Sequence, residues 1–194
     1  MIKINPIELD GLWNRGFALD YHTIKSIPIG EDPFGHMQYE TSYTPIGKVL
    51  KEFKYKNQYD NVYLIVDAVV AFLDNHPEMR NVQSVLPVPP SNKARTYQPT
   101  FEIAELLAQR LGVFCSDKVL EKKTESEYKN LSLPEKMSEH GVIVQKKKAQ
   151  RKINILLIDD IYQTGSTMRQ CAEVLGEDPN IDKVFVITIT KTKK

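Results

Sequence analysis

"ILLIDDIYQTGST", Ile155 to Thr167, runs from four apolar residues into two carboxylates and then into a small, hydroxyl-rich turn. An unbroken apolar run bounded by charge reads as a strand buried on both faces, the habit of parallel sheets. Setting Asp159 and Asp160 side by side at its end costs desolvation and mutual repulsion, so the pair is expected to meet a ligand there. In open parallel sheets, ligands bind beyond the carboxyl ends of the strands. The following "YQTGST" supplies a glycine, three aliphatic hydroxyls and backbone N–H groups at a helix start, where free amides and the helix dipole favour a phosphate. The carboxylates cannot hold that phosphate, but they can accept hydrogen bonds from sugar hydroxyls or face a divalent metal. A ribose 5-phosphate satisfies both halves of the stretch.

Competing phosphate motifs are absent. Gly165 leads into "STMRQC" with no P-loop lysine, and no G-x-G-x-x-G follows a strand, which argues against a nucleoside triphosphatase and a dinucleotide dehydrogenase. A bare Asp-Asp could simply end a strand, with Thr164 or Ser166 as an ordinary N-cap. The apolar run, the acid pair and T-G-S-T in one register point instead to a bound ligand.

Outward from this stretch the chain alternates. "SVLPV" (Ser84 to Val88) reads as a short strand ended by prolines, and "FEIAELLAQRLG" as an amphipathic helix closed by Gly112. "DKVLE" and "KVFVITIT" read as strands, "KINILLIDD" as the buried one, and "STMRQCAEVLG" as a helix. Upstream, Thr44 followed by Pro45 starts a helix whose apolar face is Ile46, Val49, Leu50 and Phe53. A second helix is predicted over 61–75 from Val62, Ile65, Val66, Val69 and Leu73. Residues 1–43 mix aromatics with turn formers and suggest short strands or hairpins. Residues 122–141 form a polar, charge-dense loop long enough to imply a function. The alternation predicts an α/β fold, a parallel sheet flanked by helices.

The 194 residues fit a single domain, and 41% apolar with 26% charged residues is an ordinary globular composition. A formal net charge of +1 supplies no global basic field, so direct nucleic-acid binding is not expected. Cys115 and Cys171 are far apart with no C-x-x-C, so neither a disulfide framework nor zinc is expected, and a reduced cytoplasm suits them. No signal-like segment or membrane-length apolar run is present, so no membrane partner is expected. His22, His36, His76 and His140 lack metal-ligand spacing and read as surface or loop residues. Nucleophilic arrangements of the Ser-His-Asp or Cys-His kind are likewise absent.

"LLIDDIYQTGST" closely resembles the 5-phosphoribosyl 1-diphosphate (PRPP) motif of type I phosphoribosyltransferases. With "LKEFKYKNQYD", "VLPVPPSNKAR" and "AELLAQRLG" in the same order, the chain looks most like the competence-protein ComF group over roughly residues 48–190, without that group's N-terminal cysteine-rich segment. The resemblance implies a parallel-sheet core over 44–194 and a small hood or N-terminal extension over 1–43, within one domain. It implies Asp159 and Asp160 at the ribose 2- and 3-hydroxyls, directly or through Mg²⁺, with Gln163, Thr164, Gly165, Ser166 and Thr167 around the 5-phosphate. Ser91, Asn92, Lys93 and Arg95 would receive pyrophosphate, with a cis peptide available at Pro89-Pro90. Lys122, Lys123 and Thr124 resemble the start of the family's closing loop, whereas the rest of 122–141 does not match it.

The implied function is transfer of a phosphoribosyl group from PRPP to a nucleobase or other nitrogen acceptor, with Mg²⁺ and release of pyrophosphate. The family's "GFNQ" is "TYQP" here (Thr96 to Pro99), so Tyr97 stands where an aromatic is usual and the acceptor-facing groups differ. Two alternatives stay open: a non-catalytic regulator that binds PRPP or a nucleotide, and a ComF-like accessory protein in DNA uptake. A homodimer is an expectation carried by the resemblance alone.

Overall fold

A computed structural model of the chain describes residues 2–90, 97–123 and 143–193. Its centre is a six-stranded sheet built from β1 (Ile7–Glu8), β2 (Arg15–Ala18), β5 (Ser84–Pro87), β6 (Phe114–Cys115), β9 (Ile153–Tyr162) and β10 (Ile181–Lys191) in the order β1-β2-β10-β9-β5-β6. Only β1 runs antiparallel to its neighbour. The α/β class with a mostly parallel sheet therefore holds. Two two-stranded pieces lie outside the sheet, β3 (Thr23–Glu31) with β4 (Met37–Tyr43), and β7 (Leu120–Lys122) with β8 (Ile143–Gln145).

Helices cover both faces. α1 (Pro45–Tyr55), α2 (Asn61–Asp74), α3 (Pro77–Arg80) and α4 (Pro99–Leu111) share one core with Leu156, Ile158, Phe185 and Ile187. α5 (Ser166–Gly176) packs on the other face with Ile155, Leu157, Val184 and Val186. Alternate residues of β9 and β10 thus enter different cores, as the two-residue period of a strand demands. That double burial is why both strands read as continuous apolar runs.

β5 leads through α4 to β6 on one side, and β9 leads through α5 to β10 on the other. The order reverses between β5 and β9. Their carboxyl ends therefore border the crevice where open α/β sheets take ligands.

α1 begins as predicted. Thr44 Oγ1 accepts from Gly47 N at 3.1 Å and donates to Tyr21 O at 2.6 Å, so it caps the helix and ties it to the strand end. A Cβ on Gly47 would stand 2.1 Å from His22 O, so only glycine lets the helix lie this close. Thr44→Ala removes both hydrogen bonds and is expected to cost about 1–2 kcal/mol in urea unfolding, with Thr44→Ser close to wild type. An unchanged midpoint in Thr44→Ala would show that the cap contributes nothing.

Several expectations shift. Residues 1–43 divide in two: β1 and β2 extend the central sheet, and the β3–β4 hairpin stands apart with nearly every residue exposed, Phe34 by 85%. "DKVLE" contributes β7, which is not in the central sheet because it pairs antiparallel with β8. The position beside β5 is taken by β6, two residues not anticipated as a strand. Among the described residues every peptide bond is trans, Pro89-Pro90 included. No helix there is long and apolar enough to cross a membrane.

Candidate functional site

A cavity of about 440 Å³ opens over the β5/β9 crevice. Its walls are residues 88–90 after β5, 98–100 at the start of α4, 159–168 at the end of β9 and start of α5, and Lys54 and Tyr55 of α1. The seven residues expected at the ribose and 5-phosphate, Asp159, Asp160, Gln163, Thr164, Gly165, Ser166 and Thr167, all line it. Ser91, Asn92, Lys93, Arg95 and Thr124 lie outside the described residues. Lys122 lines a second cavity, of about 630 Å³, that shares Val88, Pro89 and Pro90 with the first, and Lys123 follows it.

The turn between β9 and α5 is shaped for an anion. Gly165 takes φ +76°, in the left-handed region, and serves as the N-cap with no side-chain cap bond, so neither Thr164 nor Ser166 plays the ordinary capping role. Ser166 N, the first N–H of α5, donates to Thr164 Oγ1 in a long contact of 3.4 Å, the Gly165 cap itself offers no side chain, and no acidic residue occupies that turn. Thr164 Oγ1 donates to Ser166 Oγ at 3.2 Å, and Arg169 Nη1 donates to Thr164 O at 3.2 Å, which braces the turn from the helix.

The two acids are not equivalent. Being consecutive in a strand, they leave opposite faces of the sheet. Asp160 continues the Leu156 and Ile158 row and meets Lys54 of α1, with Nζ 2.5 Å from Oδ2 and the two side chains only 10% and 17% exposed. Asp159 continues the Ile155 and Leu157 row toward α5, and Asp160 N donates to its Oδ1 at 2.8 Å. Burial first, and then the charge of Asp160, push the Asp159 carboxyl up to about 7, against the opposing pull of the Asp160 N–H and Lys54. Near neutrality Asp159 can therefore donate a hydrogen bond as well as accept one. On the α5 side, burial and the Asp159 charge push the Cys171 thiol up, and burial carries Cys115 to about 11, so neither is poised as a nucleophile.

Sequence reading did not single out Lys54, although it sits inside the quoted "LKEFKYKNQYD". The available signal was a lysine beside the core residue Phe53, in the last turn of a helix whose buried face had been read correctly. His22 lies in the bend between β2 and β3, a loop position as expected, but it also joins the surroundings of the site. It is half-buried, its Nδ1 lies 3.1 Å from Thr190 Oγ1, and its ring meets Tyr43 edge-on at 5.4 Å. Burial, then Lys54, hold its pKa below the usual value. Tyr97 packs edge-on against Phe53 and Tyr59 and does not line the crevice cavity.

Each acid keeps one carboxylate oxygen for a divalent ion such as Mg²⁺, whose remaining ligands would come from water or substrate phosphates. Lys54 occupies Asp160 Oδ2, a backbone N–H occupies Asp159 Oδ1, and no cluster of three His, Cys, Asp or Glu gathers among the described residues.

No family model and no curated protein matches the chain. Matches among solved structures include UMP synthase from Leishmania donovani, at 13% identity and TM-score 0.40, covering 81% of this chain and 27% of that one. They also include adenine phosphoribosyltransferase from Thermoanaerobacter pseudethanolicus, at 13% identity and TM-score 0.44, covering 87% of this chain and 95% of that one. The chain thus spans about a quarter of the synthase's length.

Proposed function

We propose that the chain is a phosphoribosyltransferase that moves the phosphoribosyl group of PRPP to a nitrogen acceptor and releases pyrophosphate. One observation carries this reading: two carboxylates and a helix start whose N-cap is a left-handed glycine share one cavity at the point where strand order reverses. A sugar diol needs the first and a 5-phosphate the second.

In this reading the 5-phosphate accepts from N–H groups and hydroxyls of residues 164–167, and the 2- and 3-hydroxyls meet Asp160 and Asp159. Fixing both ends of the sugar orients C1 toward the rest of the cavity, which lowers the entropic cost of reaction. The C1–O bond to diphosphate breaks with its electron pair leaving on pyrophosphate, the acceptor's lone pair forms the C1–N bond, and any proton on that nitrogen is released to solvent. The carboxylates lie where positive charge would grow on the sugar, which is electrostatic stabilisation rather than covalent catalysis. Ser91, Asn92, Lys93 and Arg95 are proposed to receive the diphosphate. Mg²⁺, whose usual partners include substrate phosphates, is proposed to arrive on the diphosphate.

The test is pyrophosphate release from PRPP with Mg²⁺ and a panel of nucleobases, beside calorimetry of PRPP binding. Acceptor-dependent release lost in both Asp159→Asn and Asp160→Asn is the expected result. Binding without release from any acceptor would make the chain a ligand-sensing protein, and absence of binding would end the PRPP reading.

A further inference from the structure

We infer that Lys54 is a positioning residue for the sugar-binding half of this site, a fixed counter-charge that holds Asp160 ready for the ribose diol. The inference rests on the reading of the cavity as a phosphoribosyl site and adds a residue from another layer of the fold.

Lys54 lies in the last turn of α1, while Asp160 ends β9, and they are 106 positions apart in a chain where both line one cavity. Both side chains are largely withdrawn from water, so the pair is screened far less than a surface ion pair. The lysine is itself anchored. Thr44 and Gly47 dock the start of α1 against the Tyr21 and His22 carbonyl region, and Ile46, Leu50 and Phe53 bury its inner face. Lys54 therefore offers a charge whose position is set by helix packing rather than by a flexible loop.

Two chemical consequences follow. With Lys54 on Oδ2, Asp160 presents its other carboxylate oxygen to a ligand, a geometry suited to accepting from a hydroxyl. The lysine also offsets part of the repulsion between the two neighbouring carboxylates, so that both can face the same diol. Neither consequence touches the α5 turn, where the phosphate half of the site is built from backbone and hydroxyls. Lys54 should thus act on the sugar and leave the bare anion alone.

The experiment measures binding of ribose 5-phosphate and of inorganic phosphate to the full chain and to Lys54→Met and Lys54→Arg, with a thermal melt of each. Lys54→Met is expected to weaken ribose 5-phosphate at least about tenfold, leave inorganic phosphate within about twofold, and be rescued by Lys54→Arg. Equal weakening of both ligands would mark a purely structural role and overturn the inference. So would unchanged ribose 5-phosphate binding in a folded Lys54→Met. If Lys54→Met does not fold, Lys54→Arg decides: its ribose 5-phosphate to phosphate ratio should match wild type, and a collapsed ratio would mean that the cation alone does not position the acid. A wild-type chain that binds phosphate but not ribose 5-phosphate removes the parent reading as well, and is recognisable because no substitution is involved.

Discussion

Replacing Gly165 by alanine is expected to collapse the phosphate half of the site and to lower the melting temperature by about 5–10 °C. Two costs add. The backbone there has φ +76°, which an L side chain adopts only under strain. The new Cβ would also stand 2.2 Å from Tyr162 Oη and 2.3 Å from its Cζ, and Tyr162 is only 8% exposed, so the ring has little room to retreat. Either the turn opens or β9 gives up its last packed side chain. Inorganic phosphate affinity should fall at least about tenfold, since the N–H groups must converge on one point to hold an anion. Gly176→Ala is the control: it closes the same helix, its Cβ would meet nothing, and it should melt and bind like wild type. Normal phosphate binding by Gly165→Ala would mean that the turn does not hold the anion.

Asp159→Asn is expected to reverse its effect on stability across the pH range. The carboxyl is raised to about 7 in the folded chain from an ordinary 3.8, so between those values the native state holds a proton that the unfolded state has lost. Stability from this group is therefore fully present below about pH 4 and is lost as pH rises through about 7. The loss amounts to on the order of 4 kcal/mol when complete. Asparagine does not titrate, so the variant should melt higher than wild type at pH 8 and show no such advantage at pH 4. Melting curves for the two proteins that run parallel from pH 4 to 8 would contradict the assignment of a raised carboxyl. Loss of pyrophosphate release accompanying a gain in stability at pH 8 would identify an acid kept for chemistry at the expense of the fold.

Much of this was written in local pattern. α5 matched its predicted span, Gly112 closes α4 in the left-handed conformation, and Thr44 caps α1, because each depends on residues within one turn. The central strands were legible because burial on both faces leaves an unbroken apolar run. What escaped notice depends on partners distant in sequence. β6 is two residues long and exists because β5 offers it an edge, and "DKVLE" was drawn out of the sheet by its pairing with β8. Lys54 could not be ranked above its neighbouring lysines without knowing that α1 lies over Asp160. Tyr97 stands where the resemblance places an aromatic, but its packing on Phe53 and Tyr59 depends on residues some forty positions away.

The opposite orientation of the two acids makes the site a matter of parity. Every residue from Ile155 to Asp160 belongs to one layer or the other according to whether its number is odd or even. Deleting a single residue within that run would preserve the composition and the apolar character of the strand, yet hand each acid to the wrong layer. Asp160 would face α5, and Asp159 would turn into the layer of α1 one step short of Lys54. A pair of identical letters in the sequence thus encodes two different chemical groups, and the distinction is kept by counting rather than by residue type.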